Sequence, residues 1–153
     1  MEWLKNILQN YLLISAGTAW IVAQIFKIFT GIFHERKFNI VNLLFGTGGM
    51  PSSHSAAVTA LSVSAGVQYG LASPEFAISA ILAIVVMRDA SGVRREAGKQ
   101  AKVLNHIIQE IFTSNDNKII QADLKELLGH TPLQVFVGFL LGVIVAVSMM
   151  PFF

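Results

Sequence analysis

Two histidines, a lysine and a cluster of arginines are the residues of this chain that can do chemistry. His54 closes the run Gly46-Thr47-Gly48-Gly49-Met50-Pro51-Ser52-Ser53-His54. Glycines allow close backbone approach and positive φ. Ser52 or Ser53 can cap a helix that begins there, and exposed N–H groups and hydroxyls at a helix N-terminus make an anion site. His130 stands before Thr131-Pro132, the pattern of another helix start with Pro in its first turn. Gln134 follows one helical turn later and can reach back to orient the imidazole. Lys27 interrupts an apolar run, and Arg88, Arg94 and Arg95 lie in Met-Arg-Asp-Ala-Ser-Gly-Val-Arg-Arg-Glu-Ala-Gly-Lys-Gln-Ala. Each motif alone is accounted for by a capped helix start or a solvated charge. Together, imidazoles beside cations, hydroxyls and amides suit transfer of an anionic group. The absence of cysteine excludes disulfides, Cys-ligated zinc, iron–sulfur clusters and thiol nucleophiles.

The elements that must position these residues are apolar. Of 153 residues, 54% are hydrophobic and 13% charged, with mean hydropathy +0.61. A water-soluble domain carries roughly 25% charged residues, so the composition points to an integral membrane protein. It excludes a disordered chain, a coiled coil and a nucleic-acid-binding module. The net charge of +2 says little about partners until the charges are placed.

Long apolar runs predict an all-α polytopic bundle in a single domain, with about four spans near 11–33, 54–71, 73–88 and 131–151. The third run, Phe76 to Met87, gives only roughly 18 Å of uncharged helix where a bilayer core needs about 30 Å. It is accepted as a span that continues into Arg88–Asp89 with those charges against protein. Ahead of the first span, Trp3, Leu4, Ile7, Leu8 and Tyr11 suit a short interfacial helix.

The polar segment 89–130 contains an amphipathic helix. Val93, Ala97, Ala101, Leu104, Ile108 and Ile111 form one stripe, opposite Arg88, Arg95, Lys99, Lys102 and His106. It is expected on the membrane or on the bundle. Ser114-Asn115-Asp116-Asn117 breaks it, and Gln121 to Leu128 reads as a second short helix. Four spans put loop 34–54 and segment 88–130 on one side. Of the 11 Lys and Arg residues only Lys5 falls on the other, so the first side is expected to be cytoplasmic, or stromal in a plastid. Lys27, the Gly/Ser loop, the Arg cluster and His130 then share one membrane face.

With these motifs in place, the sequence resembles the type 2 phosphatidic acid phosphatase and vanadium haloperoxidase superfamily. It is closest to the short divergent branch of bacteria and plastids. Pro51-Ser52-Ser53-His54 matches the superfamily's Pro-Ser-Gly-His with one change. His130-Thr-Pro-Leu-Gln134-Val-Phe-Val-Gly138 has the form of its His-x-x-x-Asp motif with Gln for Asp. Lys27 stands where the first motif begins, without the Arg-Pro that should follow. The Arg expected six residues before the last His is Leu124.

The resemblance implies a lipid phosphate hydrolase that forms a phosphohistidine without metal or other cofactor. His130 would be the nucleophile, His54 the acid and base, and Gln134 the orienting group. Lys27, Ser52, Ser53, Gly49 and an arginine drawn from Arg94, Arg88, Arg95 or Arg36 would hold the phosphate. The expected partners are a phosphorylated lipid substrate and membrane lipids, with no nucleic acid. The competing reading is a non-catalytic lipid-phosphate-binding or membrane assembly protein that has lost turnover; a small transporter or scaffold is a third. His34 and His106 are expected to be solvated or interfacial, Lys99 and Lys102 to meet anionic headgroups, and Asp89 to pair with a neighbouring Arg. Gly138 and Gly142, four apart, predict a helix-packing face within the monomer or in a homodimer.

Overall fold

The computed structural model describes the backbone of residues 2–34, 50–113 and 129–153, and the side chains of 2–30, 50–108 and 129–153. The described residues are helical, with no strand among them. In chain order they form α1 (Glu2–Leu8), α2 (Tyr11–His34), α3 (Ser53–Tyr69), α4 (Pro74–Arg88), a π turn (Asp89–Val93), α5 (Arg94–Thr113) and α6 (Pro132–Met149). A short 3-10 turn (Met150–Phe152) ends the chain.

Local chemistry sets the helix starts. Asn10 Oδ1 accepts the Leu13 N–H at 3.1 Å and opens α2. Ser52 is the N-cap of α3. Gly70, at φ 89°, ends α3 in a conformation that side chains disfavour, and Ser73 with Pro74 starts α4 immediately afterwards. Thr131 opens α6 with a capping box. Its side chain accepts from the Gln134 N–H, and the Gln134 side chain accepts from the Thr131 N–H.

Helix α3 is the axis of the bundle, packed by α2, α4 and α6, and α2 also touches α6. Its buried face is Ser53, Ser55, Ala56, Thr59, Ala60, Ser62, Ser64 and Ala65. Small side chains let helix backbones approach closely. The facing helix is cut to match: a Cβ on Gly138 would strike the Ser52 carbonyl, and one on Gly142 would lie 2.8 Å from Thr59 Cβ. The Gly138/Gly142 face is therefore used inside the monomer. Of the two alternatives expected for it, packing against α3 is the one the structure contains.

Large apolar side chains are turned outward. Ile78 is 71% exposed, Ile81 63% and Ile144 61%, while the fully buried side chains of largest volume are serines. Such a surface needs apolar surroundings. Among the described residues three helical stretches are long and apolar enough to cross a membrane: Tyr11–Thr30, Pro74–Ile108 and Pro132–Phe152. The expected span at 54–71 corresponds to α3, which at 17 residues is shorter and enclosed by its neighbours.

One expectation changes here. The amphipathic helix is not a separate piece. It continues from α4 through the π turn, and its inward face is Gly98, Ala101, Asn105 and Ile108. Ala101 and Ile108 belong to the expected stripe, but Val93 and Leu104 are exposed beside Val103 and Ile107. The stripe therefore straddles the inner and outer sides of α5. The break at 114–117 and the helix at 121–128 lie outside the described residues.

Candidate active site

The C-terminal ends of α2 and α4 and the N-terminal ends of α3 and α6 meet at one end of the bundle. At the other end Tyr11 donates from its hydroxyl to the Ala146 carbonyl at 2.7 Å. At the polar end a cavity of about 280 Å³ is lined by His54, Asp89, Arg94 and His130, with Val85, Val86, Ala90 and Gly129 completing its walls. It is small enough for a headgroup-sized anion and largely apolar on the α4 side.

His130 is buried in the segment just before α6. Its backbone N–H donates to the Ala90 carbonyl of the π turn at 3.0 Å. Its ring is fixed by Gln134. The Gln134 Oε1 atom accepts the backbone N–H of Thr131 at 2.8 Å, which identifies it as the amide oxygen. The same oxygen lies 3.2 Å from His130 Nδ1. An amide oxygen only accepts, so Nδ1 carries the hydrogen and the neutral ring keeps its lone pair on Nε2. The capping box of α6 thereby sets the tautomer of His130. Burial holds the His130 imidazole below its ordinary pKa. The Gln134 hydrogen bond opposes that shift, and the charges of Lys27, His54 and Arg94 add to it.

His54 sits exposed in the first turn of α3. Lys27, buried on α2, donates from Nζ to Ser53 Oγ at 3.1 Å. That pair stands behind the cavity wall rather than in it, but its charge reaches His130. Ser52 differs from expectation. Its N–H is committed to the Gln134 carbonyl at 3.0 Å, and its Oγ accepts from the Ser55 N–H and hydroxyl. It is a cap and a tie between α3 and α6, not a cavity hydroxyl. Gly49 and Arg36 lie outside the described residues.

The three remaining arginines separate cleanly. Arg88 is exposed at the end of α4, and Arg95 does not line the cavity. Arg94 does, with its Nε 2.6 Å from Asp89 Oδ2. Gly129 was not singled out from the sequence. A Cβ there would collide with the backbone of Arg95, so glycine is what lets the segment before His130 lie against the start of α5. The glycine beside a candidate histidine was the available signal. Nothing in the sequence pattern announces the π turn. Among the described residues no three of His, Asp and Glu converge as a metal site requires.

The divergent PAP2 family matches residues 8–145. An uncharacterized membrane protein, YuiD, of Bacillus subtilis (strain 168) is 44% identical over 157 aligned positions, covering 97% of this chain and 99% of the relative. No solved structure matches. This chain, a multi-pass membrane protein by its exposed apolar helices and by that relative, belongs to the divergent PAP2 family.

Proposed function

We propose that the protein hydrolyses a phosphomonoester or pyrophosphate of a lipid through a phosphohistidine on His130, without a metal. The observation that carries this reading is the fixed tautomer. Gln134 Oε1, identified by the Thr131 N–H, leaves the lone pair of neutral His130 on Nε2 in a ring that lines the cavity. His54 lines the same cavity from the first turn of α3.

In the first step Nε2 of His130 attacks phosphorus and the P–O bond to the lipid breaks. Protonated His54 gives its proton to the leaving oxygen. In the second, neutral His54 takes a proton from water, the hydroxide attacks phosphorus, the P–N bond breaks, and phosphate leaves with His130 restored. The cations Arg94 and Lys27 offset charge on the equatorial oxygens. Apolar walls at Val85 and Val86 favour an amphiphilic substrate such as a phosphatidate-like lipid, phosphatidylglycerophosphate or a prenyl phosphate.

The positive-inside bias supports a cytoplasmic or stromal placement of this end of the bundle. Because the chain has no cysteine, a single Lys99→Cys variant reports the side directly. Labelling only from the periplasmic face overturns the assignment.

The test of function is phosphate release from a panel of phosphorylated lipids by purified protein, with and without chelator. Release that resists chelator and disappears in His130→Ala supports the enzyme. One observation favours a second reading, a lipid-phosphate-binding protein without turnover: neutral Gln134 cannot stabilise an imidazolium as Asp does. Tight lipid binding without release supports that reading.

A further inference from the structure

The π turn puts a carboxylate into a cavity otherwise furnished for an anion. In an α-helix residues five apart point about 140° away from each other around the axis. Closing the turn by i→i+5 bonds brings the two residues toward one side of the axis. The Arg94 N–H bonds to the Asp89 carbonyl, and the two side chains meet on the same side at 2.6 Å. Both line the cavity with His54 and His130, and Asp89 is the only carboxylate among its described lining residues. The pair is open to solvent, with Asp89 at 37% and Arg94 at 53% side-chain exposure. It can therefore be reached from the cavity. Glu96, the next acid along the chain, is held outside by Lys99 at 2.7 Å.

An acceptor on Nε of the cavity's arginine takes up a guanidinium donor that a phosphate oxygen could use. We propose that Asp89 is a built-in competitor for Arg94: it holds the guanidinium over the empty cavity and gives it up to an entering phosphate group. Asp89 is thus a positioning and specificity residue for the reaction proposed above, on which this inference rests, and it acts through Arg94. The exchange has two consequences. Asp89 lowers the affinity for phosphate, because binding must first break an ion pair and then leave a carboxylate beside a bound anion. It also speeds departure of the phosphate product, because Arg94 has a partner to return to.

The opposite role is a strut that merely keeps Arg94 aimed. It predicts the opposite sign, because removing a strut weakens binding. The test uses the full chain in detergent, with inorganic orthovanadate and inorganic phosphate as probes in calorimetric titrations. Asp89→Asn, nearly isosteric, is expected to tighten both about three- to tenfold, the worth of a half-exposed ion pair plus the carboxylate's repulsion of the anion. In an Arg94→Gln background the same substitution is expected to give less than half that gain on a logarithmic scale. In turnover with the best lipid, Asp89→Asn is expected to lower KM and kcat together and to strengthen inhibition by phosphate. Unchanged or weaker anion binding in Asp89→Asn overturns the competitor. A gain of equal size in the Arg94→Gln background also overturns it, since the effect then does not pass through Arg94. Failure of the wild-type chain to bind either anion removes the phosphate site itself, and with it both readings. Anion binding without a gain in Asp89→Asn removes this one alone.

Discussion

Gly129→Ala tests how tightly the site is held together. Its new Cβ would lie 2.8 Å from the Arg94 carbonyl carbon and from Arg95 Cα, and closer still to the Arg95 nitrogen. Ordinary carbon contacts are about 3.5–4.0 Å, so the two segments must part by at least roughly 0.7 Å. Every clashing atom is backbone, so no side-chain rotation relieves the contact. The His130 N–H bond to the Ala90 carbonyl, now 3.0 Å, spans this seam. Opened by that amount it leaves hydrogen-bond range. Overpacking costs about 1–3 kcal/mol and the lost bond about 0.5–1.5 kcal/mol. A displacement near 1 Å at a reacting group costs about 10²-fold in rate. The assay is phosphate release from the preferred lipid, with thermal stability in detergent measured beside it. Gly92→Ala, in the same π turn with nothing within 4 Å of its Cβ, is the control and is expected to match wild type. If Gly129→Ala keeps its rate within twofold of wild type, the docking of the π turn on the His130 segment does not position the site.

Three further outcomes follow from the same geometry. Gln134→Leu removes the tautomer lock and half of the capping box, and is expected to lose about 1 kcal/mol of stability and most of the phosphate-release rate, read by unfolding and turnover assays on the same sample. Because His130 is held below its ordinary value, chiefly by burial, the chemical step is expected to fall off in acid only below about pH 6.5. The stability contributed by the buried neutral ring is complete above that value and is lost as pH falls toward the folded one. Single-turnover rates against pH check this, and an acid limb above pH 6.5 would contradict it. Gly142→Ala places a Cβ against the Ala56 carbonyl and 3.0 Å from the Ala60 nitrogen, and is expected to lower stability by about 1–3 kcal/mol by forcing α3 and α6 apart.

Much of this arrangement is legible in the residues. Apolar run lengths give the helices, and the Ser52 and Thr131-Pro132 signals give two of their starts. An even topology brings Lys27, His54 and His130 to one end before any contact is known. The i,i+4 spacing of His130 and Gln134 is enough to anticipate their hydrogen bond. Two features escape a reading by uniform periodicity. The π turn shifts the register by one residue: the expected pairing of Asp89 with a neighbouring Arg is present at 2.6 Å, but a 100° wheel puts Arg94 on a different face and so does not show which Arg it is. Val93 and Leu104 face outward. Ser52 is the other case. Its type suits an anion ligand, but its N–H and hydroxyl are already used by Gln134 and Ser55. Residue type shows what a side chain can do, and only the packed neighbours show whether it is still available.

The central claim is a covalent phosphorus–nitrogen bond at one atom. Rapid quench of the protein with a lipid substrate carrying labelled phosphate, followed by peptide mapping under alkaline conditions that preserve phosphohistidine, reads it directly. The account predicts transient label on His130 and none in His130→Gln. Sustained lipid dephosphorylation by His130→Gln, or label carried by any other residue, would contradict it.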